Sequence, residues 1–100
     1  MIEVRQSDVF ADWLRRLRDD KARFRIVARI RRLSLGNFGD VKSVGDGVSE
    51  LRIDYGPGYR VYLSRAGSSL VLLLAGGSKK TQTTDIVKAK KLAKEWAHGS

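Results

Sequence analysis

The chain has 100 residues, 20 Lys and Arg against 11 Asp and Glu, and a formal net charge of +9. One hundred residues make one domain, 1–100, with 98–100 expected to form a tail. The longest apolar run is the six residues Leu70 to Ala75, against about 20 for a membrane span, and no signal-peptide h-region follows Met1. There is no cysteine, and the only histidine is His98. Thiol catalysis, disulfides, a Ser-His-Asp triad, a His-rich metal site and a paired-histidine ribonuclease mechanism are therefore not expected. A small domain with this charge favours polyanionic partners, nucleic acid, an acidic protein segment or an anionic membrane surface, with nucleic acid or ribosome ahead. No metal or cofactor is expected.

Ile2-Glu3-Val4-Arg5 alternates apolar and polar and reads as a short strand. Ser7 or Asp8 caps a first helix whose inner stripe is Phe10, Trp13, Leu14 and Leu17. Asp19-Asp20 marks a break. A second helix runs from about Lys21 to Leu35 and stops at Gly36, with Ile26, Ile30 and Leu33 inside and five arginines crowding the other faces. So short a connection predicts a helical hairpin. Asn37 to Asp40 is a turn, after which the period changes from helical to alternating. Val48–Asp54 and Tyr59–Ser64 read as paired strands around the Tyr55-Gly56-Pro57-Gly58 turn. Leu70–Ala75 is apolar on both faces, as a central strand would be, and Gly76-Gly77 ends it. Thr83 or Thr84 caps a last helix from Asp85 to about Ala97, with Ile86, Ala89, Ala93 and Trp96 turned inward. The order is β-α-α-β-β-β-α, an α+β domain with an antiparallel meander on a helical hairpin.

Alternation assigns Ser49, Leu51, Ile53 and Tyr55 to one strand face, and Tyr59, Val61 and Leu63 to the same side of the next strand. If these face the helices, Glu50, Arg52, Arg60 and Tyr62 share the other face, with Lys79 and Lys80 close by. The expectation is a basic, aromatic-lined surface on rigid strands. Such a surface suits RNA cleavage without histidine. A 2′-OH attacks the adjacent phosphate, and Arg or Lys donors stabilise the charge that builds on it. Glu50 is a candidate base, as is Lys79 or Lys80, and Tyr62, Tyr59 or Tyr55 could stack on a base. The competing reading of Glu50, Arg52 and Arg60 is a cross-strand salt-bridge ladder on a solvated face. The stretch Gly76 to Thr81 lacks the spacing of a nucleotide-binding phosphate loop.

Several blocks resemble the HigB-type addiction module killer branch of the RelE/ParE toxin superfamily. They are Glu50-Leu51-Arg52-Ile53, Gly56-Pro57-Gly58-Tyr59-Arg60-Val61-Tyr62, Leu72-Leu73-Leu74 with Gly76-Gly77 and Lys79, and Gln82 with Asp85-Ile86. Gly36-Asn37-Phe38-Gly39-Asp40 followed by Lys42 fits the same branch. The resemblance implies a bacterial cytoplasmic toxin of a type II toxin–antitoxin pair that cleaves mRNA, often on the ribosome, without metal or cofactor. It places the family's arginines on Arg52 and Arg60 and its lysine on Lys79. Tyr62, Tyr59, Tyr55, Lys80 and Lys42 complete the candidate RNA contacts. The branch commonly carries Gly-Gly-Asp-Lys where this chain has Gly76-Gly77-Ser78-Lys79. A ParE-like gyrase inhibitor and a plain nucleic-acid-binding module are the alternatives. The implied partner is a small helix-turn-helix antitoxin encoded beside this chain. With no apolar stripe expected to remain outside the core, the chain alone is expected to be a monomer.

Overall fold

The computed structural model describes residues 1–99. In chain order the elements are β1 (Glu3–Gln6), α1 (Asp8–Arg16), α2 (Asp20–Ser34), β2 (Val41–Gly45), β3 (Val48–Ile53), β4 (Tyr59–Ala66), β5 (Leu70–Ser78), a 3-10 turn (Lys79–Thr81) and α3 (Gln82–Gly99). They form an α+β domain around one five-stranded sheet of order β1-β5-β4-β3-β2. The pairing of β1 with β5 is parallel and the other three pairings are antiparallel. The expected order holds, with one strand added. β2 went unread because it is short, polar and at the edge. Its two apolar residues, Val41 and Val44, are interrupted by a register shift between Ser43 and Gly45, and edge strands are commonly blunted this way.

Local chemistry accounts for the helix boundaries. Ser7 caps α1: its hydroxyl accepts from the Phe10 amide at 3.0 Å and donates to the Leu74 carbonyl at 2.6 Å, so the cap also ties the helix to the sheet. Asp19 caps α2 by accepting from the Lys21 and Ala22 amides. Before α3 the cap lies earlier than Thr83. Ser78 accepts from the Lys80 amide at 3.3 Å and starts the 3-10 turn that leads into the helix. α3 runs on to Gly99, across most of the expected tail, and Ser100 lies outside the described residues.

The sheet is covered on both faces. α1 and α2 pack Phe10, Ala22, Ile26 and Leu33 against Leu51, Ile53, Tyr59, Val61, Leu63, Val71 and Leu73. On the other side α3 brings Ala89, Ile86, Leu92, Ala93 and Trp96 over Val48, Tyr62, Leu72, Leu74 and Ala75. β5 requires this, because its apolar residues alternate to both sides. A register shift at Tyr62/Leu63 leaves Leu74 as an extra residue opposite β4. The face expected to be an open basic surface is therefore occupied by α3 over most of its extent. Only the corner at the β3–β4 turn stays free.

Two glycines at the end of β5 let helices approach from opposite sides. A side chain at Gly76 would collide with the Trp13 ring of α1. One at Gly77 would collide with the Asp85 carboxylate and the Thr81 hydroxyl, which are hydrogen-bonded to each other at the start of α3. No backbone but glycine fits between these groups.

Candidate functional site

Arg52 and Arg60 sit directly opposite each other on β3 and β4. Two guanidinium groups so placed repel, and each has its own carboxylate. Arg52 donates through Nε and Nη2 to Asp40 Oδ1, at 3.2 and 2.9 Å, in an exposed pair that raises its pKa further. Arg60 lies 3.4 Å through Nε from Glu50 Oε1, and Glu50 is 2% exposed. The other Glu50 oxygen accepts from the Gln82 amide of α3 at 2.7 Å. The ladder read from the sequence is thus split. Its Glu50–Arg60 half is buried, and Arg52 turns to Asp40 instead.

Lys79 joins the arginines because its backbone amide donates to the Gly58 carbonyl at 2.7 Å, which fastens the 3-10 turn to the β3–β4 turn. Gly58 lies between the two groups at φ +81°, a conformation that favours glycine, with Arg60 and Lys79 at van der Waals distance from where its side chain would be. The result is an open cleft of about 380 Å³ lined by Asp40, Arg52, Asp54, Gly56, Pro57, Gly58, Arg60 and Lys79. Lys79 makes no ion pair among the described residues. Three cations and two carboxylates meet there, with the third carboxylate, Glu50, buried behind Arg60.

Other candidate residues are placed elsewhere. Glu50 is withdrawn from the cleft with both oxygens engaged, so it positions Arg60 and cannot act as a base on a bound ligand. Tyr62 is fully buried beneath α3 and cannot stack on RNA; its hydroxyl finds no hydrogen-bond partner among the described residues. Burial first, and then the Glu50 and Asp85 carboxylates, raise its pKa strongly. Tyr59 is in the core against Trp13, with ring centroids 6.3 Å apart. Tyr55 lies on the same side, under the Arg25 guanidinium at 4.7 Å. Strand alternation had already put Tyr55 and Tyr59 on the helix-facing side, opposite Arg52 and Arg60. The cleft is basic but has no aromatic lining. Lys42 is exposed on β2 opposite Glu50, and Lys80 is exposed on the 3-10 turn.

Sequence reasoning missed three supporting residues. Asp40 enters the sequence reading only as part of a turn and of a block similar to the HigB-type branch, with no role of its own. Gln82 was noted without a role. Arg29 was one arginine among five, yet it is half-buried and donates to three carbonyls: Arg52 at 2.5 Å, Phe38 at 3.2 Å and Asp40 at 3.4 Å. Desolvation lowers its pKa, and Asp40 opposes the shift. Arg29 thereby fixes the backbone that presents Arg52 and Asp40. No periodic signal separates it from its solvated neighbours.

Fold and cleft together define a small basic α+β domain with an arginine–arginine–lysine cluster at one corner of a doubly covered sheet. Residues 12–96 match the family described as phage derived protein Gp49-like (DUF891), and the chain belongs to that family. It is also 53% identical over 94 residues to an uncharacterized protein of Haemophilus influenzae, covering 94% of this chain and 95% of that one. Among the described residues no helix is long and apolar enough to cross a membrane.

Proposed function

We propose that this chain is the toxin of a type II toxin–antitoxin pair and acts as an endoribonuclease on mRNA, free or on the ribosome, without a metal ion. The observation that carries the reading is the meeting of Arg52, Arg60 and Lys79 around one open cleft. The resemblance of the Glu50–Ile86 block to the HigB-type branch supports the same reading.

In the proposed reaction the 2′-oxygen attacks the adjacent phosphorus and the bond to the 5′-oxygen breaks. The 2′-OH loses a proton and the leaving oxygen gains one. Charge builds on the non-bridging oxygens between these events. Arg52 and Arg60 are aimed at that charge, and their planar donors suit phosphate. Arg60 is held from behind by Glu50. The Arg52 backbone is fixed by Arg29, and its guanidinium is paired with Asp40, which a bound phosphate has to displace or share. With Glu50 withdrawn, Lys79, Asp40 and Asp54 are the cleft groups able to move a proton. Ser78 stands where the branch commonly has Asp, and it caps the 3-10 turn that carries Lys79. Both residue types serve as N-caps, so the exchange preserves the position of the lysine.

The test is cleavage of mRNA in a translation extract by the wild type and by Arg52→Ala. The Arg52–Asp40 pair is exposed, so its loss leaves the fold nearly untouched. Loss of one charge-stabilising donor is expected to slow cleavage by about 10²–10³. A folded Arg52→Ala that cleaves at the wild-type rate would falsify the assignment. Intact mRNA together with early loss of supercoiling activity would instead indicate a gyrase-directed toxin. Co-purification with the product of the adjacent gene at high salt tests the antitoxin.

A further inference from the structure

Of the charged groups that line the cleft, Asp54 and Lys79 make no ion pair among the described residues. The other carboxylates are engaged: Asp40 accepts twice from Arg52, and Glu50 is held by Arg60 and Gln82. The two unpaired groups stand at opposite ends of one row. Tyr59 on β4 pairs with Ile53 of β3 on one side and with Ser78 of β5 on the other. Asp54 follows Ile53 and Lys79 follows Ser78, so each lies one residue beyond the same rung. Two strand spacings set the outer strands of that rung about 10 Å apart. Backbone bonds fix both ends. The Tyr55 amide donates to the Ile53 carbonyl at 3.0 Å, closing a tight turn centred on Asp54, and the Lys79 amide donates to the Gly58 carbonyl at 2.7 Å. The residue between them is Gly58, which has no side chain to fill the gap. Arg52 and Arg60 face each other across β3 and β4 beside this row.

We infer that Asp54 and Lys79 are the proton-transfer pair of the cleft, Asp54 acting on the 2′-OH and Lys79 on the 5′-oxygen. The inference rests on the proposed RNA cleavage and assigns its two open roles. The Asp54 carboxylate takes the 2′-OH proton as the 2′-oxygen bonds to phosphorus. The bond from phosphorus to the 5′-oxygen breaks, its electron pair stays on that oxygen, and the Lys79 ammonium protonates it. The products are a 2′,3′-cyclic phosphate and a 5′-hydroxyl. Asp54 is left protonated and Lys79 neutral, and exchange with water restores both. Entering and leaving oxygens stand roughly in line across phosphorus, so base and acid belong on opposite sides of it. Two hydrogen bonds of about 3 Å each, taken from about 10 Å, leave about 4 Å for the two oxygens with phosphorus between them. The arginine pair then meets the non-bridging oxygens from the side. Asp40 is not free for the same role, because Arg52 already holds its oxygen through two donors.

The test is single-turnover cleavage of one mRNA, free and on programmed ribosomes. Asp54 and Lys79 are exposed, so changing either should leave the fold intact. Asp54→Asn should slow cleavage by about 10²–10⁴, the usual contribution of a positioned proton transfer, and Asp54→Glu should regain at least tenfold of that loss. Asp54→Asn should bind the uncleavable 2′-O-methyl strand at least as tightly as the wild type does. Lys79→Met should also be slow. Its deficit should shrink at least tenfold when sulfur replaces the 5′-oxygen at the cleavage position, since a thiolate leaves without an acid; the Asp54→Asn deficit should persist. The control is Phe24→Ser on α2, which should cleave as the wild type does. Phe24 is 76% exposed and Leu35 62%, contrary to the expectation that no apolar stripe remains outside the core, and neither lines the cleft. Four results overturn the assignment while leaving RNA cleavage standing. These are wild-type rates in Asp54→Asn, an Asp54→Asn loss that lies in 2′-O-methyl binding, a Lys79→Met deficit that sulfur does not relieve, and an equal loss in Phe24→Ser. Intact mRNA with the wild type, free and on ribosomes, overturns the cleavage reading and this assignment with it.

Discussion

Arg60 and Arg52 are alike in sequence and different in the fold. Arg60 is a nearly buried cation on a buried carboxylate, whereas Arg52 is an exposed one on an exposed carboxylate. Breaking a buried pair by removing one partner costs about 3–5 kcal/mol. Glu50→Ala should therefore destabilise the chain by an amount of that order in thermal or urea unfolding. Glu50→Gln keeps an acceptor for Gln82 and should be milder. If the chain cleaves RNA as proposed, Glu50→Gln should also leave the limbs of the cleavage pH profile where they are, because Glu50 does not face the cleft; a vanished limb would restore it as the base. Tyr62 offers a second check. Its buried hydroxyl has no partner among the described residues, so Tyr62→Phe should match or slightly exceed wild-type stability at neutral pH. The fold keeps this phenol protonated above its ordinary value of 10.0. Above about pH 10 the unfolded chain loses that proton and the folded chain does not, so stability falls as pH rises. Tyr62→Phe should make that alkaline loss shallower, as read by circular dichroism between pH 8 and 12. Tyr59, shifted in the same direction by burial, keeps the loss from vanishing.

At the scale of elements, the end of β5 takes close contact from helices of both layers. Gly76 faces Trp13 of α1, and Gly77 faces the Thr81–Asp85 pair that opens α3. Gly77→Ala places a methyl group against that pair and should cost about 1–3 kcal/mol, the usual range for overpacking. A Gly77→Ala, Asp85→Ala double variant should recover part of the loss in melting temperature. No recovery would mean that the backbone of β5, and not the Asp85 side chain, sets the limit. The same junction matters to the cleft, because the turn carrying Lys79 is fastened both to the β3–β4 turn and to the start of α3. Displacing α3 would disturb Lys79 directly, and Arg60 through Gln82 and Glu50.

At the scale of the molecule, the net charge of +9 is spread over more than one surface. Three cations line the cleft, and Lys21, Arg25 and Arg32 gather on the outer side of α2. If the cleft binds RNA through its three cations, log affinity for a single-stranded oligonucleotide should fall with log salt at a slope near −2, at about −0.7 per phosphate contacted. Arg52→Ala should reduce the magnitude of that slope by about 0.7, and Arg31→Ala should leave it unchanged. Equal effects from the two variants would mean that RNA is held by diffuse charge and not by the cleft.

The sequence by itself determined the order of the elements other than the edge strand β2, and the sides to which the residues of β3 and β4 point. Those features are set within a few residues: caps at Ser7 and Asp19, the Gly-Pro-Gly turn, and alternation along β3 and β4. It also brought Arg52, Arg60 and Lys79 together, because strand parity and a tight turn bring them together over a short stretch of chain. It did not determine what covers each side. Parity placed Glu50 and Tyr62 with Arg52 and Arg60, but only the docking of α3, from the far end of the chain, buried the first two and left a corner open for the others. Only the packed fold singled out Arg29 as a backbone clamp and left Phe24 and Leu35 outside the core. Periodicity is a local property of the chain, whereas burial depends on which distant element comes to lie against a face.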